Sequence, residues 1–83
     1  MVTTRFDGVW FAAYPDDHDR HVHGFYAEVE VIVDFNVDGT VTKADRKDAV
    51  RPRNGRKSDV RHILKTAAKH FEELVALWEE HHG

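Results

Sequence analysis

From Phe25 to Phe35 the chain alternates. Phe25, Ala27, Val29, Val31, Val33 and Phe35 hold the odd positions, while Tyr26, Glu28, Glu30 and Asp34 fall on even ones. A period of two describes a half-buried antiparallel strand, because successive side chains point to opposite faces of a sheet. The stretch Asn36-Val37-Asp38-Gly39-Thr40 follows it as an Asp-Gly hairpin turn, and Thr40-Val41-Thr42 opens the returning strand. Upstream, Arg5 to Tyr14 is mostly apolar and aromatic and reads as a first strand, with Asp7-Gly8 as a turn or bulge near its start and Pro15-Asp16-Asp17 closing it.

A sheet with one apolar face needs a second layer. Val60, Ile63, Leu64, Ala67, Phe71, Leu74, Val75 and Trp78 recur at spacings of three and four, which predicts an amphipathic helix. Ser58 suits its N-cap and Asp59 the positive end of its dipole. Run unbroken to His81, the helix is about 36 Å long. The expected architecture is α+β: a small antiparallel sheet of about three strands packed on one long C-terminal helix, as a single domain over residues 1–83.

The chain has 83 residues, near the low end of what folds alone, so a partner chain is a natural way to complete its core. It contains no cysteine, which excludes disulfides and thiolate metal sites and suits a reducing cytoplasm. No apolar run approaches the roughly 20 residues that span a bilayer. The start has no apolar stretch behind its charge, so neither a signal peptide nor membrane attachment is expected.

The stretch Tyr14-Pro15-Asp16-Asp17-His18-Asp19-Arg20-His21-Val22-His23-Gly24 concentrates three imidazoles and three carboxylates at the mouth of the second strand. If strand pairing reaches back to His21, then His21 and His23 share parity with Phe25, Val29 and Val33 and face the helix-covered side. Imidazoles at i and i+2 sit about 6–7 Å apart at Cα, close enough to share an ion. His18 or an aspartate, Asp17 among them, would add a third ligand, a set suited to a divalent transition metal. Without a metal, His18, His21 and His23 are candidate catalytic groups, imidazole being the usual side chain for general acid and base work. The plainer alternative is hydrogen-bonded strand-end histidines beside an exposed acidic loop. Gly24 marks a place where a bulge would turn the pair to solvent. A histidine-triad nucleotide hydrolase would need histidine at position 25, where Phe25 stands.

A second polar feature is opposite in sign. Seven of the twelve Lys and Arg residues lie between Lys43 and Lys57, against Asp45 and Asp48, in a chain whose net charge is −3. Arg51, Arg53 and Arg56 are candidates for gripping the phosphates of a nucleic acid, since guanidinium binds phosphate bidentately. No aromatic is interleaved with them, so base stacking is not indicated. Near the C-terminus, Phe71, Leu74, Leu77 and Trp78 are candidates for contact with a second copy or a small protein partner, because the helix exceeds what a small sheet covers. His62 and His70, eight residues apart, read as surface residues.

The order of elements, with Asp17-His18, His21-Val22-His23, and Trp78, His82 and Gly83 near the end, resembles the bacterial "domain of unknown function 4160" family. The resemblance implies a small bacterial protein encoded beside another small protein, in the manner of toxin–antitoxin pairs, and identifies no catalyst. The family usually has prolines before its His-x-His, where this chain has Asp19-Arg20, and many members have a shorter link to the helix. Two functional expectations follow. One is an interaction module that binds a protein partner and offers its arginines to phosphates. The other is a metal-assisted or histidine-based phosphodiester hydrolase, or ribonuclease, using His21 and His23.

Overall fold

Two-residue turns at both of which φ is positive set the sheet's first hairpins. The computed structural model describes residues 2–14 and 20–82, the last two by backbone alone. Strand β1 (Val2–Phe6) returns as β2 (Val9–Ala13) through Asp7 and Gly8, at φ 52° and 82°. Strand β3 (His21–Tyr26) returns as β4 (Val29–Phe35) through Ala27 and Glu28, at φ 50° and 70°. Turns of this handedness match the twist of the strands they join. Asp-Gly is a usual pair for one. Ala-Glu is not, and each such residue carries about 1–2 kcal/mol of steric cost.

The segment Phe25–Phe35 is therefore a hairpin and not one strand. Across a two-residue turn the parity of the inward positions flips: Tyr26 pairs with Val29, Gly24 with Val31 and Val22 with Val33. The unbroken alternation of the sequence conceals this, because Ala27 and Phe25 only happen to be apolar at odd positions. Ala27 is exposed and Phe25 half-buried.

The sheet is antiparallel throughout, in the order β1-β2-β3-β4-β5, with the short β5 (Val41–Lys43) and β6 (Val50–Arg51) sharing the outer edge of β4. The β4–β5 turn is the expected one. The Asn36 N–H donates to Thr40 O (2.9 Å) and Gly39 lies at φ 88°. The Thr40 hydroxyl (2.6 Å) and N–H (3.1 Å) both donate to Asp38 Oδ1, which holds the Asp38 carboxyl below its ordinary pKa. Between β5 and β6 the chain swings out and returns: Ala44 N–H donates to Ile32 O and Ile32 N–H donates to Ala49 O, at 2.9 and 2.8 Å. Ala44 and Ala49 bury against Ile32 as a small apolar cluster.

The predicted single helix is two, α1 (Lys57–Lys69) and α2 (Phe71–His82). Arg56 takes the N-cap position and makes no side-chain cap, so Ser58 lies inside the first turn. The helices bend at His70, whose N–H still donates to Thr66 O and whose carbonyl accepts from Leu74 N–H. The bend keeps both halves on the sheet: α1 lies against β3, β4 and β5, and α2 against β1, β2 and β3. His62 and His70 anchor the junction to the first hairpin. The His62 Nε2–H donates to the Asp7 carbonyl (3.1 Å), and His70 stacks on Phe6 with ring centroids 3.9 Å apart. His70 Nδ1 lies 3.0 Å from the Glu73 carboxylate, and Asp7 is 3.6 Å from both His70 and Lys69. Both histidines are half-buried ties in the fold.

One core fills the space between sheet and helices, with Phe11, Val22, Val31, Val33, Ile63 and Leu74 fully buried. Each such side chain contributes about 1.5–3 kcal/mol by leaving water. Gly24 lies in register between Phe11 and Val31, and no bulge forms. A Cβ there would come within 2.5 Å of Ile63 Cγ2 and 3.2 Å of Phe11 Cε1. The glycine is what lets α1 approach β3. No described helix is long and apolar enough to cross a membrane.

Candidate functional site: a histidine face and a cationic groove

Because parity flips at Ala27–Glu28, His21 and His23 point away from the helices, contrary to the expectation drawn from an unbroken strand. They share the open face with Trp10, Ala12, Phe25, Glu30, Ile32 and Asp34, as the pairings Trp10–Phe25, Ala12–His23, His23–Ile32 and His21–Asp34 require. His21 is nonetheless buried, 1% exposed. His23 Nδ1 stands 2.8 Å from Glu30 Oε2, a diagonal cross-strand pair. The carboxylate accepts, so the imidazole proton resides on Nδ1 and Nε2 is the basic nitrogen of the neutral ring. The His21 and His23 ring centroids are 5.3 Å apart, and Tyr14 meets His23 edge-on at 4.8 Å. Trp10, 49% exposed, lies on the same face under the Arg5 guanidinium, 5.5 Å from the ring centroid.

This arrangement holds an imidazole in a defined tautomer beside a second imidazole, the geometry of a general base with an orienting carboxylate. Glu30 was not among the residues the sequence singled out, since its even position reads as solvent-facing. For a metal, the expected third ligand Asp17 and the alternative His18 lie outside the described residues. Among the described residues no three of His, Asp and Glu are grouped to hold a metal ion.

The basic segment divides between the two sides of the sheet. In β6, Val50 pairs with Val31 toward the helices while Arg51 pairs with Glu30 on the open face. Arg51 borders a shallow depression with Glu28 and Glu30. Arg53 and Arg56 lie on the helix side and line a groove of about 910 Å³ between α1 and the β5–β6 edge. There they join Lys43, Lys57, Arg61 and Lys65, six exposed cations in all, and no carboxylate lines the groove. Among the described residues none of the six makes an ion pair. The positive end of the α1 dipole adds to their field.

Beneath the cations runs an aliphatic floor of Val41, Val50, Val60, Leu64 and Ala68. The first four are half-buried, packed against the core on one side and open to the groove on the other. Two stripes thus share α1: Ile63, Thr66 and Ala67 seal the core, while Lys57, Arg61 and Lys65, with Val60, Leu64 and Ala68, face the groove. The spacing of Lys57, Arg61 and Lys65 at i, i+4 and i+8 is the signal that could have joined them to the basic loop from sequence.

The four residues considered for partner contact belong to the core. Leu74 is fully buried and Leu77 8% exposed, and half-buried Phe71 and Trp78 pack against the same cluster. Phe71 meets Phe35 edge-on at 5.5 Å. No family model, curated protein or solved structure matches the chain.

Proposed function

We propose that this protein is an interaction module, the cytoplasmic partner-binding half of a toxin–antitoxin-like pair, and that it holds an anionic macromolecule in the groove between α1 and the β5–β6 edge. One observation carries the reading: six cations without a lining carboxylate surround a single groove in a chain of net charge −3. Such a concentration of one sign persists against the protein's own net charge, and it attracts a partner of opposite sign. The paired-gene arrangement is supported by the family resemblance alone.

Retention on heparin tests the groove. A protein with pI near 6.1 should pass through a polyanion column at neutral pH unless its charge is segregated. The tag-free protein is expected to bind at low ionic strength and elute with salt, since each released counterion steepens the salt dependence. Arg53→Glu/Arg56→Glu/Arg61→Glu, all at exposed positions, should pass through with an unchanged melting curve. Passage of the wild type, or equal retention of the triple variant, refutes the reading.

A second reading has its own observation, the 2.8 Å His23–Glu30 contact beside His21. It supports histidine-based phosphodiester hydrolysis, with His23 as general base. Turnover of an activated phosphodiester should vanish in His23→Ala and fall steeply in Glu30→Gln. Equal rates in all three proteins would exclude it.

A further inference from the structure

We infer that the occupant of the cationic groove is an acidic amphipathic segment of a partner protein, its apolar side chains on the aliphatic floor and its carboxylates at the rim; this rests on the groove being the docking surface. The floor separates the two kinds of polyanion that six cations alone would not distinguish. A nucleic acid met through its phosphates needs no apolar surface, and a duplex backbone would leave this one bare. A single strand gains about 1–3 kcal/mol per base by stacking on aromatic side chains. Here Val41, Val50, Val60, Leu64 and Ala68 present no ring.

The same floor suits aliphatic side chains. Apolar surface left in water costs about 25 cal/mol per Å² relative to its burial, so a groove that keeps four half-buried aliphatics open is stabilised by an apolar occupant. The cations stand on both sides of it. Lys57, Arg61 and Lys65 run along α1 over about 12 Å, and Lys43, Arg53 and Arg56 come from β5 and the turn before α1. An apolar strip between two cationic borders is complementary to a peptide whose apolar residues recur on one face with Asp or Glu beside them. That is the helix-in-groove mode of recognition.

Fluorescence anisotropy on the full chain tests this with three labelled probes of matched charge: a Leu/Glu amphipathic peptide, polyglutamate, and a single-stranded RNA. The wild type is expected to prefer the amphipathic peptide over polyglutamate by roughly tenfold, about 1.4 kcal/mol, and over the RNA. Val60→Ser/Leu64→Ser should erase the preference and leave the affinity for polyglutamate. Ala68→Gln, at an exposed floor position where folding is not at stake, should reduce the preference in the same sense. Arg53→Glu/Arg61→Glu should weaken both peptides. RNA binding as tight as the amphipathic peptide, or a preference that survives both floor changes, overturns the inference while leaving cationic docking in place. Binding of none of the three probes removes the docking reading itself.

Discussion

On one face of the sheet Val22, Gly24, Val31 and Val33 meet the two helices and are sealed from water. One residue along in the same strands, on the other face, His21, His23 and Glu30 sit with Tyr14, Phe25 and an exposed Trp10. The first face is governed by shape: Ile63 and Phe11 stand so close to β3 that position 24 admits no Cβ. The second is governed by chemistry, with an imidazole oriented by a carboxylate across a strand pair. The difference teaches that a strand's two faces answer to separate constraints, and that a single turn decides which residues belong to which.

The sharpest way to break the comparison is to place valine at neighbouring positions of β3. Gly24→Val forces the side chain into Ile63 and Phe11 and should destabilise by about 3 kcal/mol, at the upper end of overpacking costs. His23→Val loses the Glu30 contact but no core volume, and should cost about 1 kcal/mol. Urea unfolding of both variants measures the gap; equal losses would mean that the open face is packed as tightly as the core. The turn that assigns the faces offers a second, smaller test. Ala27→Asn/Glu28→Gly replaces two residues strained at positive φ with a pair suited to that turn, and should stabilise by about 1–2 kcal/mol. A loss of stability would show that β3 and β4 are not joined by this turn.

The smallest expected effect lies at the exposed β4–β5 turn, remote from both faces. Asp38 has its pKa lowered by the hydroxyl and N–H of Thr40. Its contribution is therefore full above the ordinary carboxylate range and is lost as pH falls through the depressed folded value. Asp38→Asn should lower the melting temperature slightly above the ordinary carboxylate range and leave it unchanged at strongly acid pH, where the contribution is already lost, so the acid-side fall becomes slightly shallower. A steeper acid limb in the variant would reverse the sign and contradict the hydrogen bonding at the turn.

Much of the chain was legible where a local rule has one outcome. Asp38-Gly39 and Asp7-Gly8 are turns because glycine, or aspartate before it, tolerates positive φ, and the apolar stripe after Ser58 is helical because its spacing fits one face. The segregation of basic residues between Lys43 and Lys57 was equally plain. Ala27-Glu28 was not, because neither residue signals a turn and the alternation runs on through both. The three-strand count had three sources: this omission, the reading of Arg5–Tyr14 as one strand where Asp7-Gly8 parts β1 from β2, and the placing of β6 within the basic loop. The wrong face for His21 and His23 came from Ala27-Glu28 alone. The partnership of His23 with Glu30 was hidden for the same reason, since it exists only across the β3–β4 pairing.

By itself the sequence determined the α+β class, the hairpin at Asp38-Gly39, the amphipathic C-terminal region and the opposed charges of its histidine and arginine stretches. These depend on periods and propensities that act over a few residues. Tertiary structure alone decided the bend at His70, the burial of Leu74 and Leu77 within the chain, the parting of Arg51 from Arg53 and Arg56, and the union of those two with Lys57, Arg61 and Lys65 around one groove. Each depends on which surfaces meet when the helices fold back on the sheet, and that is settled by the fit of whole elements.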